Sequence, residues 1–144
     1  MTEQQTSSEL VIDWAAALEG VGGDESLLVD LINIFFDEAT ASLAGIQRAM
    51  QDHDYANLNL LAHRLKGAAK IFGPTPAMLV AQELEALFKE LGADQKAVKQ
   101  GKKDPAVLSP SRVEAAYATA PRLLAELETQ VHRLNAALRT RLGQ

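Results

Sequence analysis

Ala62-His63-Arg64-Leu65-Lys66-Gly67-Ala68-Ala69-Lys70-Ile71-Phe72-Gly73 divides into two faces when wound at about 100° per residue. Tyr55, Leu58, Ala62, Leu65, Ala69 and Phe72 follow a three-then-four spacing, joined by Leu61 and Ala68, and form one apolar stripe. His63 lies almost opposite the centre of that stripe, with Asn59, Lys66, Gly67 and Lys70 around it within two turns. The spacing therefore points the histidine at water. Two ammonium groups share its face, and a side chain is missing directly above it.

The same period organises the rest of the chain. Leu10 to Leu18 predicts a short helix that caps the bundle with Trp14, after a polar and flexible segment over 1–9. Gly20 to Gly23 breaks it, and Asp24 reads as the N-cap of a long helix reaching about Met50. Leu28, Leu31, Phe35, Ala39, Leu43, Ile46 and Met50 form its core stripe, widened by Val29, Ile32 and Phe36. One neighbouring helix cannot cover a stripe that wide. Either part of it is left for a partner, or the N-terminal helix covers it.

After the polar turn Asp52-His53-Asp54, the histidine helix runs from about Tyr55 to Phe72. Gly73 reads as a left-handed C-cap, and Pro74 prevents continuation. Thr75 caps the next helix with Pro76 at its first position, Val80, Leu84, Leu87 and Leu91 form its core face, and Gly92 closes it. Residues 93–110 carry lysines, Gly101, Pro105 and Pro110 without a sustained period and read as a long loop. Ser111-Arg112-Val113-Glu114 reads as a capping box opening a final helix over 111–142. Tyr117, Ala120, Leu124, Leu127, Val131, Leu134 and Leu138 face the core there, and Pro121 is expected to kink or split the helix. The expected fold is all-α: a single domain over 1–144, an antiparallel four-helix bundle with a short N-terminal helical extension.

Composition bounds the function classes. A chain of 144 residues supports one domain that buries roughly 70% of its unfolded surface. No cysteine is present, so thiolate metal sites and disulfides are excluded, which is compatible with a reducing cytoplasm. No basic segment followed by an apolar core opens the chain, so no secretory signal is expected. No apolar run approaches the ~20 residues of a membrane span. A net charge of −5 argues against nucleic acid as a partner. Neither Glu-x-x-His nor His-x-x-x-His occurs, which argues against a di-iron or zinc bundle. His53 and His132 read as inert polar-surface residues.

The motif His63-x-Leu65-Lys66-Gly67, with Gly73 ten residues after the histidine, resembles the signature of histidine-containing phosphotransfer (HPt) domains of multistep two-component signalling. The resemblance runs from about Asp13 to Lys89. Gly22-Gly23-Asp24 is similar to the family's Gly-Gly-Asp before its first long helix. Leu84-Glu85 with Lys89 is similar to its Leu-Glu-x-x-x-Arg, with lysine in place of arginine. The resemblance implies a phosphoryl carrier whose phosphoacceptor is His63, relaying the group between aspartates of receiver domains.

Such chemistry asks a protein for positioning and charge stabilisation. Histidine is mostly neutral above pH 7, and its N–P bond is labile enough to be passed on. Lys66, at i+3, can reach phosphoryl oxygens as a point charge, and Lys70, at i+7, adds positive potential. Gly67, at i+4, lets a partner aspartate approach, while Arg64 points sideways as a docking charge. The ring needs one tautomer, with Nδ1 protonated and Nε2 free. The resemblance assigns the Nδ1 acceptor to Glu85, 22 positions after the histidine. The plain alternative is that Glu85 only pairs with Lys89 at i+4. Lys89 keeps the family's positive charge without the planar fork of arginine. Leu60 and Ile71 fall about 60–80° around the helix from His63 and suit a transient apolar contact with a receiver domain.

The implied partners are a response-regulator receiver domain and a hybrid histidine kinase, with Mg²⁺ held by the receiver and no cofactor on this chain. A cytoplasmic monomer is expected. Kinase activity in the chain itself is not expected, because no glycine-rich nucleotide loop or second domain is present. A free-standing relay protein is favoured over the phosphoacceptor domain of a larger kinase, since the chain starts at Met1 and ends soon after its last helix. The alternative from another class is a non-catalytic HPt-like adaptor that binds a receiver or kinase. An adaptor tolerates His63→Gln and a carrier does not.

Overall fold

Asp13, Asp24, Asp54, Thr75 and Ser109 each turn a side-chain oxygen onto a backbone N–H three residues ahead, and five helices begin at these caps. The computed structural model describes residues 12–144, so the expected flexible segment over 1–9 and the contribution of Leu10 lie outside the described residues. Six α-helices follow: α1 (Trp14–Gly20), α2 (Glu25–Gln51), α3 (Tyr55–Ala69), α4 (Pro76–Leu87), α5 (Lys89–Lys99) and α6 (Pro110–Arg141). Short 3₁₀ turns occupy Lys70–Phe72 and Pro105–Val107, and there is no strand among the described residues. Gly73 ends the histidine helix as expected. At φ 91° and ψ −171°, though, it lies outside the left-handed helical well, in a region open only to glycine.

α2, α3, α4 and α6 form the antiparallel bundle, packed in the cyclic order α2–α3–α4–α6–α2. α3 therefore lies between α2 and α4, diagonal to α6, with its outer face open except at its first turn, where α5 packs. The buried seam of α2 is Leu28, Ile32, Phe35, Ala39, Ser42, Ile46 and Ala49. Leu31, Leu43 and Met50 of the expected stripe are only half-buried. The seam keeps a strict heptad, the repeat that holds one line of side chains toward packed neighbours, whereas the expected stripe drifted with runs of four. The same correction holds in α6, where Ala116 and Leu123 are buried and Tyr117 and Leu124 are half-buried.

α1 closes one end. Trp14 stands edge-on to Phe72 at 6.4 Å, and the Arg141 guanidinium lies 5.0 Å over its ring. α1 does not cover the wide face of α2. Ile34 remains 60% exposed and Leu27 42%, while Phe36 is sheltered by Arg139 at 5.1 Å. Pro121 does not split α6, which runs unbroken from Pro110; the proline is exposed, so its ring points to solvent rather than into the core.

The expected loop over 93–110 is corrected. The helix that was to close at Gly92 instead pauses at buried Phe88 and resumes as α5. Gly92 lies inside α5 for a different reason than capping. A Cβ there would sit 3.0 Å from the Tyr55 carbonyl oxygen and 3.1 Å from Ala56 Cα, so its absence lets α5 press onto the first turn of α3. Gln95 secures the contact, accepting from the Ala56 N–H at 3.0 Å and donating to the His53 carbonyl at 2.8 Å. The remaining connection is held by Asp94, which pairs with Lys103 at 2.6 Å and Arg112 at 2.9 Å. Hydrogen bonds from Lys103 and then Arg112 hold its carboxyl below the usual aspartate range. The final helix starts at Pro110 with Ser109 as its cap, not at a Ser111 capping box, because proline at the first helical position fixes the entry.

Candidate functional site

α3 presents its core stripe inward, with Leu58, Ala62 and Leu65 fully buried, and so presents His63 outward. The His63 side chain is 60% exposed. Its Nδ1 lies 2.6 Å from Glu85 Oε2 on α4. A carboxylate can only accept, so in the neutral ring the proton sits on Nδ1 and the Nε2 lone pair is left free.

Glu85 is itself held from three directions. Lys66 Nζ lies 2.7 Å from Oε1, His63 engages Oε2, and Asn59 Nδ2 donates to the Glu85 backbone carbonyl at 2.8 Å. Partial burial would raise the Glu85 carboxyl, but the hydrogen bonds from Lys66 and His63 and their charges outweigh it and hold it below the ordinary range. Glu85 is thus ionised and ready to balance positive charge on the imidazole. The plain i+4 pairing with Lys89 does not form, because the pause at Phe88 breaks the helical register between them.

The structure brings His63, Lys66 and Glu85 together, with Lys89 lining the same cavity as Lys66 and Glu85. Lys66 is committed to Glu85 rather than reaching freely into solvent. Lys70, in the 3₁₀ turn, and Lys89, at the start of α5, are exposed and pair with no carboxylate among the described residues. Lys89 lines a cavity of about 300 Å³ with Asn59, Gln82 and Glu85. Arg64 is exposed on the opposite flank, at a groove between α2 and α3.

Gly67 is open, with nothing within 4 Å of where a Cβ would stand. It lines a mostly apolar groove of about 360 Å³ with Leu31, Ile34, Phe35, Glu38, Ala68 and Ile71. Leu60 is 42% exposed and Ile71 half-buried, so both lie at the surface as their register requires. Sequence reasoning missed two contributors. Ile34 was not singled out at all, although its position between buried Ile32 and Phe35 marks it as outward. Asn59 was placed on the histidine face without a role, because its partner is a backbone carbonyl that no pattern of residue types announces.

Comparison with known proteins agrees with this geometry. The Hpt domain family model matches residues 30–137. Among solved structures, the HPT domain of an Hpt sensor hybrid histidine kinase from Shewanella is similar to this chain at 21% identity. That similarity has a TM-score of 0.57 over 92% of this chain and 94% of the other. No curated protein matches. The match spans α2 to α6, including the His63–Glu85 pair, and the chain belongs to the Hpt domain family, whose work in two-component signalling is histidine phosphotransfer.

Proposed function

We propose that His63 is the phosphoacceptor of a relay between receiver-domain aspartates, fed by a hybrid histidine kinase in the cytoplasm, with this chain acting as a monomer. The observation that carries the reading is the 2.6 Å contact between His63 Nδ1 and Glu85, which leaves Nε2 as the exposed nucleophile. In the forward step the Nε2 lone pair attacks the phosphorus of an aspartyl phosphate. The N–P bond forms as the P–O bond to the aspartate breaks, and the carboxylate leaves. The imidazole gains positive charge while Nδ1 keeps its proton, and Glu85 balances that charge at hydrogen-bond distance. The return step reverses these bonds on a second receiver.

Lys66 fixes the Glu85 carboxylate and, through it, the ring. Lys70 and Lys89 are the cations free to meet phosphoryl oxygens, and Arg64 is a docking charge. Gly67 leaves room for the incoming aspartate, and Leu60, Ile71 and the groove beside Ile34 take the apolar part of the contact. Mg²⁺ belongs to the receiver, and this chain supplies no cofactor.

The test is transfer from phosphorylated receiver domains to the wild type and to His63→Gln, followed as acid-labile protein phosphate. Label on the wild type and none on the variant is expected. Label on neither, with the fold intact, leaves a binding-only adaptor, and equal label on both assigns the wrong residue.

A further inference from the structure

Beyond Lys89, the lysines of α5 and of the turn after it are unused by the site described above. Residues 89–103 hold five lysines against two acids, a local charge of +3 in a chain whose total is −5. Lys103 is neutralised by Asp94 at 2.6 Å. Lys89, Lys96, Lys99 and Lys102 are exposed and pair with no carboxylate among the described residues.

α5 is also placed where it matters. Gly92 and Gln95 hold it against Tyr55 and Ala56 at the start of α3. Ala56 precedes His63 by seven residues, or two turns, so both occupy one face of α3, about 10 Å apart along its axis. α5 therefore packs on the side of α3 that displays the histidine, two turns before it, and leaves His63 exposed. Lys89 and Lys96, also seven apart, share a row on α5, and Lys89 lines the cavity that holds Lys66 and Glu85. The positive row begins at the edge of the histidine site and runs past the start of α3.

Resting on the phosphotransfer reading, we propose that the lysines of α5 and of the turn that follows it are the electrostatic half of the partner interface, meeting the acidic phosphoacceptor face of a receiver domain and steering it onto His63. Charge complementarity selects this occupant. The receiver's reacting group is a carboxylate, and a Mg²⁺ site around it is built from further carboxylates. The net negative charge of this chain repels such a face, so a basic strip that starts at the edge of the histidine site marks the approach it can take. Charges outside the reacting site act chiefly on the association rate and are screened by salt.

The test compares wild type, Lys96→Gln/Lys99→Gln/Lys102→Gln and the matching triple arginine variant, with helicity checked by circular dichroism. Transfer is timed from a panel of receiver domains loaded with acetyl phosphate, from low to high ionic strength, and labelling by the small donor phosphoramidate is measured alongside. The glutamine variant is expected to transfer about tenfold more slowly at low salt, with a flattened salt dependence. Its phosphoramidate labelling and the arginine variant's transfer are expected to match the wild type. A glutamine variant equal to wild type in rate and salt slope overturns the proposal. So does an arginine variant as slow as the glutamine one, since shape rather than charge is then at work. Wild type labelled by phosphoramidate but by no receiver also overturns it. Wild type labelled by neither sinks the phosphotransfer reading itself.

Discussion

Glu85 Oε2 lies 2.6 Å from His63 Nδ1, across the groove between α3 and α4, while Lys66 holds the other carboxylate oxygen at 2.7 Å. The contact joins two residues 22 apart in sequence and gives the exposed ring a single orientation. Glu85→Gln keeps an acceptor near Nδ1 and removes the charge that balances the imidazole during transfer. We expect transfer to slow by about 10- to 100-fold with little change in fold, by analogy with the cost of altering the partner that orients a metal-bound histidine. Rapid-quench transfer kinetics with circular dichroism check this. A variant with the wild-type rate would leave the ring's orientation to Asn59 and packing alone.

The same pair gives a pH dependence. The folded-state pKa of Glu85 lies below its unfolded value, so its contribution to stability is fully present above the ordinary glutamate range, near 4.3. That contribution is lost as pH falls through the folded value. Thermal unfolding of wild type and Glu85→Gln from neutral to acid pH should show a wild-type advantage that disappears below the ordinary range. An advantage unchanged down to the acid limit would mean that the carboxylate is not what the histidine and lysine recognise.

Lys66, expected to reach phosphoryl oxygens, grips Glu85. Lys66→Met should therefore resemble Glu85→Gln, slowing transfer and moving the Glu85 titration upward. Lys70→Met should slow transfer and leave that titration in place. NMR titration of the Glu85 carboxyl in both variants separates the two roles, and an unmoved titration in Lys66→Met would contradict the clamp.

Those elements whose signals are local were legible from the sequence. Asp24 capping α2, Gly73 ending the histidine helix and Thr75-Pro76 opening α4 all depend on neighbours a few residues away. The outward direction of His63 followed from the buried stripe of Leu58, Ala62 and Leu65. α5 was not legible, because Gly92 carries the same letter whether it terminates a helix or admits another backbone. Only the packing against Tyr55 and Ala56 separates the two. The commitment of Lys66 was hidden likewise, since i+3 spacing places it near His63 but says nothing of the carboxylate arriving from α4.

Gly92 should be intolerant for that reason. Tyr55 O, Ala56 Cα and Ala56 N lie 3.0, 3.1 and 3.3 Å from its would-be Cβ, and all three are backbone atoms that cannot rotate away. Gly92→Val should destabilise the protein by about 1–3 kcal/mol, the scale of overpacking. Loss of the Gln95 bonds to Ala56 and His53 would accompany it. Urea denaturation gives the stability, and hydrogen exchange at the Ala56 amide reports the contact. Wild-type stability would mean that α5 is loosely held and unfit to shape a partner's approach.

Gly67 predicts the opposite sign. It lies inside α3, and its Cβ position is open, so Gly67→Ala adds helix propensity without a clash. Stability should rise by up to about 1 kcal/mol, the usual difference between the two residues within a helix. Transfer should nonetheless slow, because the methyl group stands one turn from His63 at the mouth of the groove lined by Ile34 and Ile71. Labelling by phosphoramidate, which needs no docked protein, should change less than transfer from a receiver. A substitution that stabilises the fold and impairs only the protein-dependent reaction cannot act through unfolding. If Gly67→Ala gains stability and keeps full receiver transfer, the partner's aspartate does not approach over this position.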